Sequence, residues 1–202
     1  MTKTYYENYE FMGDSEVYEP REDSFMLADY VKGSKGRVLD VGTGCGIQAV
    51  LASKSADYVL GIDINEKAVE LAERNAKSNG CKNCEFKKSD LFENIGVGKN
   101  KNVKFDVIIF NPPYLPTNEE DKIKGELNKA LSGGKDGREV IDRFIKEVKK
   151  YLNKGGKILM VDSSLDTTKK TIDMLEEKGF KVRILETKKM FFEELSVIEA
   201  VL

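Results

Sequence analysis

Short runs of apolar, β-favouring residues alternate along the chain with stretches whose apolar positions recur every three to four residues. Arg37 to Val41, Tyr58 to Ile62, Cys84 to Lys88, Phe105 to Phe110, Lys157 to Val161, Phe180 to Glu186 and Leu195 to Val201 read as strands. Gly46 to Lys54, Asn65 to Asn79, Gly137 to Tyr151 and Asp166 to Lys178 read as helices. In the second helix Ala68, Val69, Ala72 and Ala76 share a face, Asn65 is the N-cap, and Gly80 lies just past the end. Phe105 to Phe110 is almost wholly apolar, as a strand covered on both faces requires. Alternating strands and helices demand right-handed crossovers, so the pattern predicts an open, mostly parallel, Rossmann-like α/β sheet of seven strands with helices on both faces. No helix separates the last two strands, which should form an antiparallel hairpin at one edge. The segments 96–104 and 111–135, rich in Gly, Pro and charge, read as loops, the second of them mobile.

The 202 residues suit one α/β core, so 1–202 is expected to be a single domain, with 1–30 as a lead and covering helix and 31–202 as the core. No apolar run approaches the roughly 20 residues of a membrane span, and Met1 to Glu10 lacks the apolar region of an export signal. The cysteines, Cys45, Cys81 and Cys84, are odd in number, which with the missing signal points to the cytoplasm. Cys81-x-x-Cys84 has neither a second pair nor a histidine to complete a metal site, and no metal is expected. The count of histidines is zero, which excludes Ser-His-Asp and Cys-His catalysis together. A net charge of −2 argues against a free-standing nucleic-acid enzyme.

Directly after the first strand, Val38-Leu-Asp-Val-Gly-Thr-Gly-Cys-Gly46 sets glycines at alternate positions, a turn that lets the backbone approach a ligand closely. The dinucleotide pattern G-x-G-x-x-G would need a third glycine where Ile47 stands. Asp40 would repel a pyrophosphate and attract a cationic amino-acid group, a character that S-adenosylmethionine has. Asp63, closing the second strand, is placed to accept from ribose hydroxyls. Asp90, after the third strand, is placed to meet an adenine amino group, with Leu91 offering a backbone N–H.

Strand four ends in Asn111-Pro-Pro-Tyr114. A strand-stopping turn, or a polyproline ligand continuing through Pro116, would also use such residues. An amide or exocyclic amino nitrogen has its lone pair delocalised, so methylating it requires both N–H bonds to be held. The Asn111 side-chain oxygen and the Pro112 carbonyl can accept them, while Tyr114 stacks on the planar group. No base of near-neutral pKa is needed, in keeping with the missing histidine.

Asp40-Val-Gly-Thr-Gly44 together with Asn111-Pro-Pro-Tyr114 resembles the amino-nitrogen branch of class I methyltransferases. Val17-Tyr-Glu-Pro-Arg-Glu-Asp-Ser24, Ser132 to Phe144 and Glu194-Leu-Ser-Val197 narrow the resemblance to HemK-like release-factor glutamine methyltransferases, specifically their short archaeal and eukaryotic branch. The resemblance implies S-adenosylmethionine as cofactor, with Ser24, Asp40, Gly42, Gly44, Asp63, Asp90, Leu91 and Asn111 as contacts. Asn111, Pro112 and Tyr114 carry over as the catalytic set. It implies as substrate the glutamine of the Gly-Gly-Gln loop of a class I release factor, with base amino groups of nucleic acid or protein lysine as alternatives. A cofactor-binding scaffold without turnover is the reading from another class. By the same resemblance a small zinc-binding activator would dock on the third strand, at Cys84-Glu-Phe86, the sheet edge in the usual order for this fold.

Overall fold

A computed structural model describes residues 2–96, 102–114, 133–163, 165–191 and 193–202. Most of the expected 111–135 loop, including Leu115 and Pro116, lies outside these residues, as do Ser132 and positions 97–101. Strands β1 (Lys3–Tyr6) and β2 (Tyr9–Met12) precede helix α1 (Glu22–Val31). There follow β3 (Arg37–Val41), α2 (Ile47–Ala52), β4 (Tyr58–Asp63), α3 (Glu66–Ser78), β5 (Cys84–Lys88) and β6 (Phe105–Phe110). Next come α4 (Glu139–Glu147), a 3-10 turn at Val148–Tyr151, β7 (Leu152–Ser163), α5 (Leu165–Glu177), β8 (Lys181–Lys189) and β9 (Glu194–Val201). The main sheet runs β5-β4-β3-β6-β7-β9-β8, parallel from β5 to β7. β9 is antiparallel to both β7 and β8, so the last strand is inserted inside the sheet and β8 forms the edge.

Side chains alternate along each strand, and both faces are buried. Val38, Val59 and Ile109 enter one cluster beneath α1, α2 and α3, while Leu39, Leu60 and Ile108 enter the other with Phe144 of α4 and Leu175 of α5. Phe110 packs on Phe144 with ring centroids 4.4 Å apart, fixing the last residue of β6 against α4. Asn65 caps α3 by accepting from the Lys67 N–H at 2.9 Å.

The β1–β2 hairpin was not expected from the sequence. It is held to α3 by two buried or half-buried carboxamides. Asn75 accepts from Met12 N–H at 2.9 Å and donates to its carbonyl at 3.1 Å, and Asn79 donates to the Glu10 carbonyl at 2.8 Å. The Tyr18 to Ser24 stretch that follows is thereby led back over the C-terminal ends of the parallel strands. β7 also begins earlier than expected, because Leu152 pairs with Phe105 before a bulge at Asn153 to Gly156 brings Lys157 opposite Val107. Among the described residues no helix is long and apolar enough to cross a membrane.

Candidate functional site

The glycine turn between β3 and α2 adopts left-handed φ values at all three glycines, 65° at Gly42, 54° at Gly44 and 86° at Gly46. At Gly46 a side chain would also meet Ala72, whose Cβ lies 3.0 Å from the position a Cβ would take. The turn is fixed from outside by β4: Thr43 N–H donates to the Ile62 carbonyl at 2.9 Å, and Gly44 N–H donates to Asp63 Oδ2 at 3.0 Å. The second Asp63 oxygen accepts from Asn65 N–H at 2.9 Å, so one carboxylate joins the turn to the start of α3.

Above this turn lies a cavity of about 150 Å³, whose walls include Gly42, Gly44, Asp63, Asp90, Leu91 and Asn111, with Ser24 on the lid side. Asp90 also pairs with Arg143 of α4 at 2.9 Å, and that carboxylate raises the guanidinium pKa. Leu91 holds φ at +45°, a conformation uncommon for a branched side chain, and its carbonyl accepts from the Ser89 hydroxyl at 2.7 Å.

Asp40, expected as a cofactor contact, is not among the residues that line this cavity. It shares the strand face of Val38 and so points beneath α2, only 1% exposed, where it accepts from the Thr43 hydroxyl at 2.6 Å. Burial pushes its carboxyl from the ordinary 3.8 up to about 7, against the bonds it accepts from Thr43 and the Ala49 backbone. A carboxyl raised in the folded state holds its proton there while the unfolded chain has lost it, so its stabilising effect is complete below pH 3.8 and lost as pH rises toward 7. Buried Asp63 is raised in the same sense, and Glu10, Asp29 and Glu199 are lowered, so the wild-type profile mixes opposite signs. The difference between Asp40→Asn and wild type isolates the one group. In denaturant titrations the variant should gain relative stability between about pH 4 and 7 and then level off. A difference independent of pH would show that Asp40 does not titrate as described.

The centre of the site is Asn111, at the end of β6. Its Nδ2 donates to Asp23 Oδ2 at 3.0 Å and to Ser24 Oγ at 3.3 Å, both on the first turn of α1. Asp23 is 4% exposed and also accepts from the Tyr18 hydroxyl, at 3.2 Å to each oxygen, and from the Tyr114 hydroxyl at 3.4 Å. Burial and the Asp23 charge push both phenols up, so they stay protonated donors. A carboxylate only accepts, so the Asn111 amide must turn its NH₂ toward Asp23. Its Oδ1 is then left over, buried and without a hydrogen-bond partner among the described residues.

A second cavity, about 570 Å³, opens on the other side of Asn111 and is lined by Pro112, Tyr114, Asp14, Glu22, Asp23 and Glu193, among others. Tyr18, Asn111 and Pro113 border both cavities and form their junction. A ligand in the smaller space and one in the larger would thus meet at Asn111.

Of the residues picked from sequence, the structure brings Ser24, Gly42, Gly44, Asp63, Asp90, Leu91 and Asn111 to one cavity and Pro112 and Tyr114 to the adjoining one. Asp23, Tyr18, Gln48 and Arg143 were not picked. Asp23 and Tyr18 lie inside the Val17 to Ser24 segment that carried the family resemblance, which was the available signal. Among the described residues no group of three or more His, Cys, Asp or Glu side chains is arranged to hold a metal ion.

Residues 32–196 match the family model described as a methyltransferase domain. A Methanocaldococcus jannaschii protein that carries the provisional name protein N5-glutamine methyltransferase is 50% identical over 92% of this chain and 91% of its own length. A Geobacter sulfurreducens release factor glutamine methyltransferase is 31% identical over 85% of this chain, and the match spans 61% of that longer protein. Among solved structures, the E. cuniculi Mtq2-Trm112 complex, whose described role is methylation of the eRF1 translation termination factor, superposes with a TM-score of 0.69. It is 28% identical, covering 92% of this chain and 98% of that one.

Proposed function

The chain belongs to the HemK-like family of methyltransferases, and from that membership we propose that it moves a methyl group from S-adenosylmethionine to the side-chain amide of a protein glutamine, that of the Gly-Gly-Gln loop in a class I release factor. The observation that carries the reading is the orphaned Asn111 Oδ1 at the junction of the two cavities. A buried acceptor without a partner is costly, and a flat N–H donor in the larger cavity would relieve that cost.

The residues present fit the cofactor. Asp63 and Asp90 offer acceptors at neighbouring strand ends, where hydroxyl and amino groups of a nucleoside can be met, and the glycine turn leaves backbone close to the cavity. When bound, S-adenosylmethionine supplies an electrophilic methyl on a sulfonium. Asn111 Oδ1 accepts one amide N–H of the substrate and the Pro112 carbonyl the other, which holds the nitrogen in the plane that aims its lone pair across the junction. As transfer proceeds, the same two oxygens face the positive charge growing on nitrogen. Asp23 pairs with Asn111 and also lines the larger cavity, and the proton shed by the methylated nitrogen leaves through that cavity to water. Tyr18 and Pro113 flank Asn111 where the two cavities adjoin.

A second reading, methylation of protein lysine, draws support from the larger cavity, where Asp14, Glu19, Glu22, Asp23 and Glu193 outnumber Arg21. Incubation with methyl-labelled cofactor and a release-factor domain, followed by mapping of the label, separates the readings. Label on the loop glutamine is expected. Label confined to lysine, or equal transfer to a bare oligonucleotide, would overturn the glutamine assignment. The outer side of β5 is unpaired in the sheet, so Cys84-Glu-Phe86 is the proposed seat of a small activator subunit, zinc-binding on the family resemblance.

A further inference from the structure

Gln48, the second residue of α2, is 4% exposed and lines the smaller cavity beside Gly42 and Gly44. Its Nε2 donates to the Ser24 carbonyl at 2.8 Å. A carbonyl only accepts, so the amide cannot be turned the other way, and its Oε1 is the end left free. That oxygen is buried with no hydrogen-bond partner among the described residues. It shares this condition with Asn111 Oδ1, and both side chains border the same cavity.

The cofactor reading leaves one group without an obvious acceptor, the ammonium of the amino-acid end. Asp40, the acid whose sequence position suggested that role, is sealed beneath the turn and bonded to Thr43. Asp63, whose oxygens already accept from Gly44 and Asn65, is given by that reading to the nucleoside. Asp90, paired with Arg143, is likewise given to the nucleoside. Gln48 Oε1 is a neutral side-chain acceptor next to the glycine turn that is buried and without a partner among the described residues.

We propose, on the strength of the cofactor reading above, that Gln48 Oε1 accepts an N–H from the α-ammonium of S-adenosylmethionine. The residue then joins two tasks through one amide. Its oxygen recognises the amino-acid end, and its nitrogen pins the Ser24 carbonyl of α1, whose hydroxyl accepts from Asn111 at 3.3 Å. Gln48 is also the one glutamine in the chain, so no neighbouring carboxamide of that length can substitute for it.

The test is calorimetric and needs no turnover. Wild type and Gln48→Met are each titrated with S-adenosylhomocysteine and with its analogue carrying hydrogen in place of the α-amino group. Wild type should bind the amino compound about 10- to 100-fold more tightly than the analogue, the range of a hydrogen bond to a charged group. Gln48→Met should lose most of that preference by weakening for the amino compound alone. Equal weakening toward both compounds would mean that Gln48 only pins α1, and would overturn the assignment. So would a wild type that does not distinguish the two, a result that holds even if the variant fails to fold. A wild type that binds neither S-adenosylmethionine nor S-adenosylhomocysteine would instead remove the cofactor reading itself.

Discussion

Asn111→Ala is expected to lower kcat for methyl transfer by about 10²- to 10³-fold while cofactor affinity changes by no more than a few-fold. The magnitude is that of removing one preorganised hydrogen-bonding group from the place where charge develops. The selectivity for kcat follows from position. Asn111 borders both cavities and its oxygen is a buried side-chain acceptor without a partner among the described residues, whereas the smaller cavity keeps Gly42, Gly44, Asp63 and Asp90. Asp23 retains Tyr18, Tyr114 and the Ser24 N–H at 2.7 Å, so the truncation leaves no buried charge unpaired. Asn111→Asp should be worse than alanine, because it sets a second carboxylate against Asp23. Single-turnover rates and equilibrium binding of S-adenosylhomocysteine check both variants. An Asn111→Ala enzyme with near-normal turnover would remove that side chain from the mechanism.

Asp23→Asn is expected to reduce kcat by about 10-fold and Asp23→Ala by about 100-fold, with every residue of the Asn111-Pro-Pro-Tyr114 motif intact. Asp23 is a positioning residue. Its charge is what forbids the flipped Asn111 amide, and a neutral Asn at position 23 can pair with either orientation. Part of the population would then present NH₂ to the junction, where two donors would face each other. The graded pair distinguishes orientation from mere packing, since Asp23→Asn preserves shape. If Asp23→Asn turns over like wild type, the carboxylate does not fix the amide.

Much of this arrangement could be read along the chain, for reasons visible in particular residues. β3, β4 and β6 begin and end within a residue of their expected limits because each is a compact apolar or β-branched run that ends at or just before glycine, aspartate or Asn-Pro. The hairpin β1–β2 could not be read in this way. Its strands have four residues each, and its pairing to α3 rests on Asn75 and Asn79, whose spacing says nothing about a partner more than sixty residues earlier. Strand ends yielded Gly42, Asp63, Asp90 and Asn111, since every parallel strand delivers its last residue to the same rim. Asp23 requires α1 to lie across β6, a contact between positions 88 residues apart, and no local pattern encodes it. Asp40 could have been placed by parity. It is two residues from Val38, and strand alternation commits both to the α2 side of the sheet.

The insertion of β9 between β7 and β8 also dictates the order in which the molecule can be put together. β8 pairs with no other strand of the sheet, so until Glu194–Val201 has been made and has paired with Lys157 to Ser163, the segment Lys181–Lys189 has no strand to pair with. The five parallel strands and the rim they carry can collapse first, whereas the remaining edge closes in a late step that spans a long loop and is slowed accordingly. Nascent chains arrested before residue 194 should therefore bury the glycine turn but leave the strand at 181–189 open to proteases.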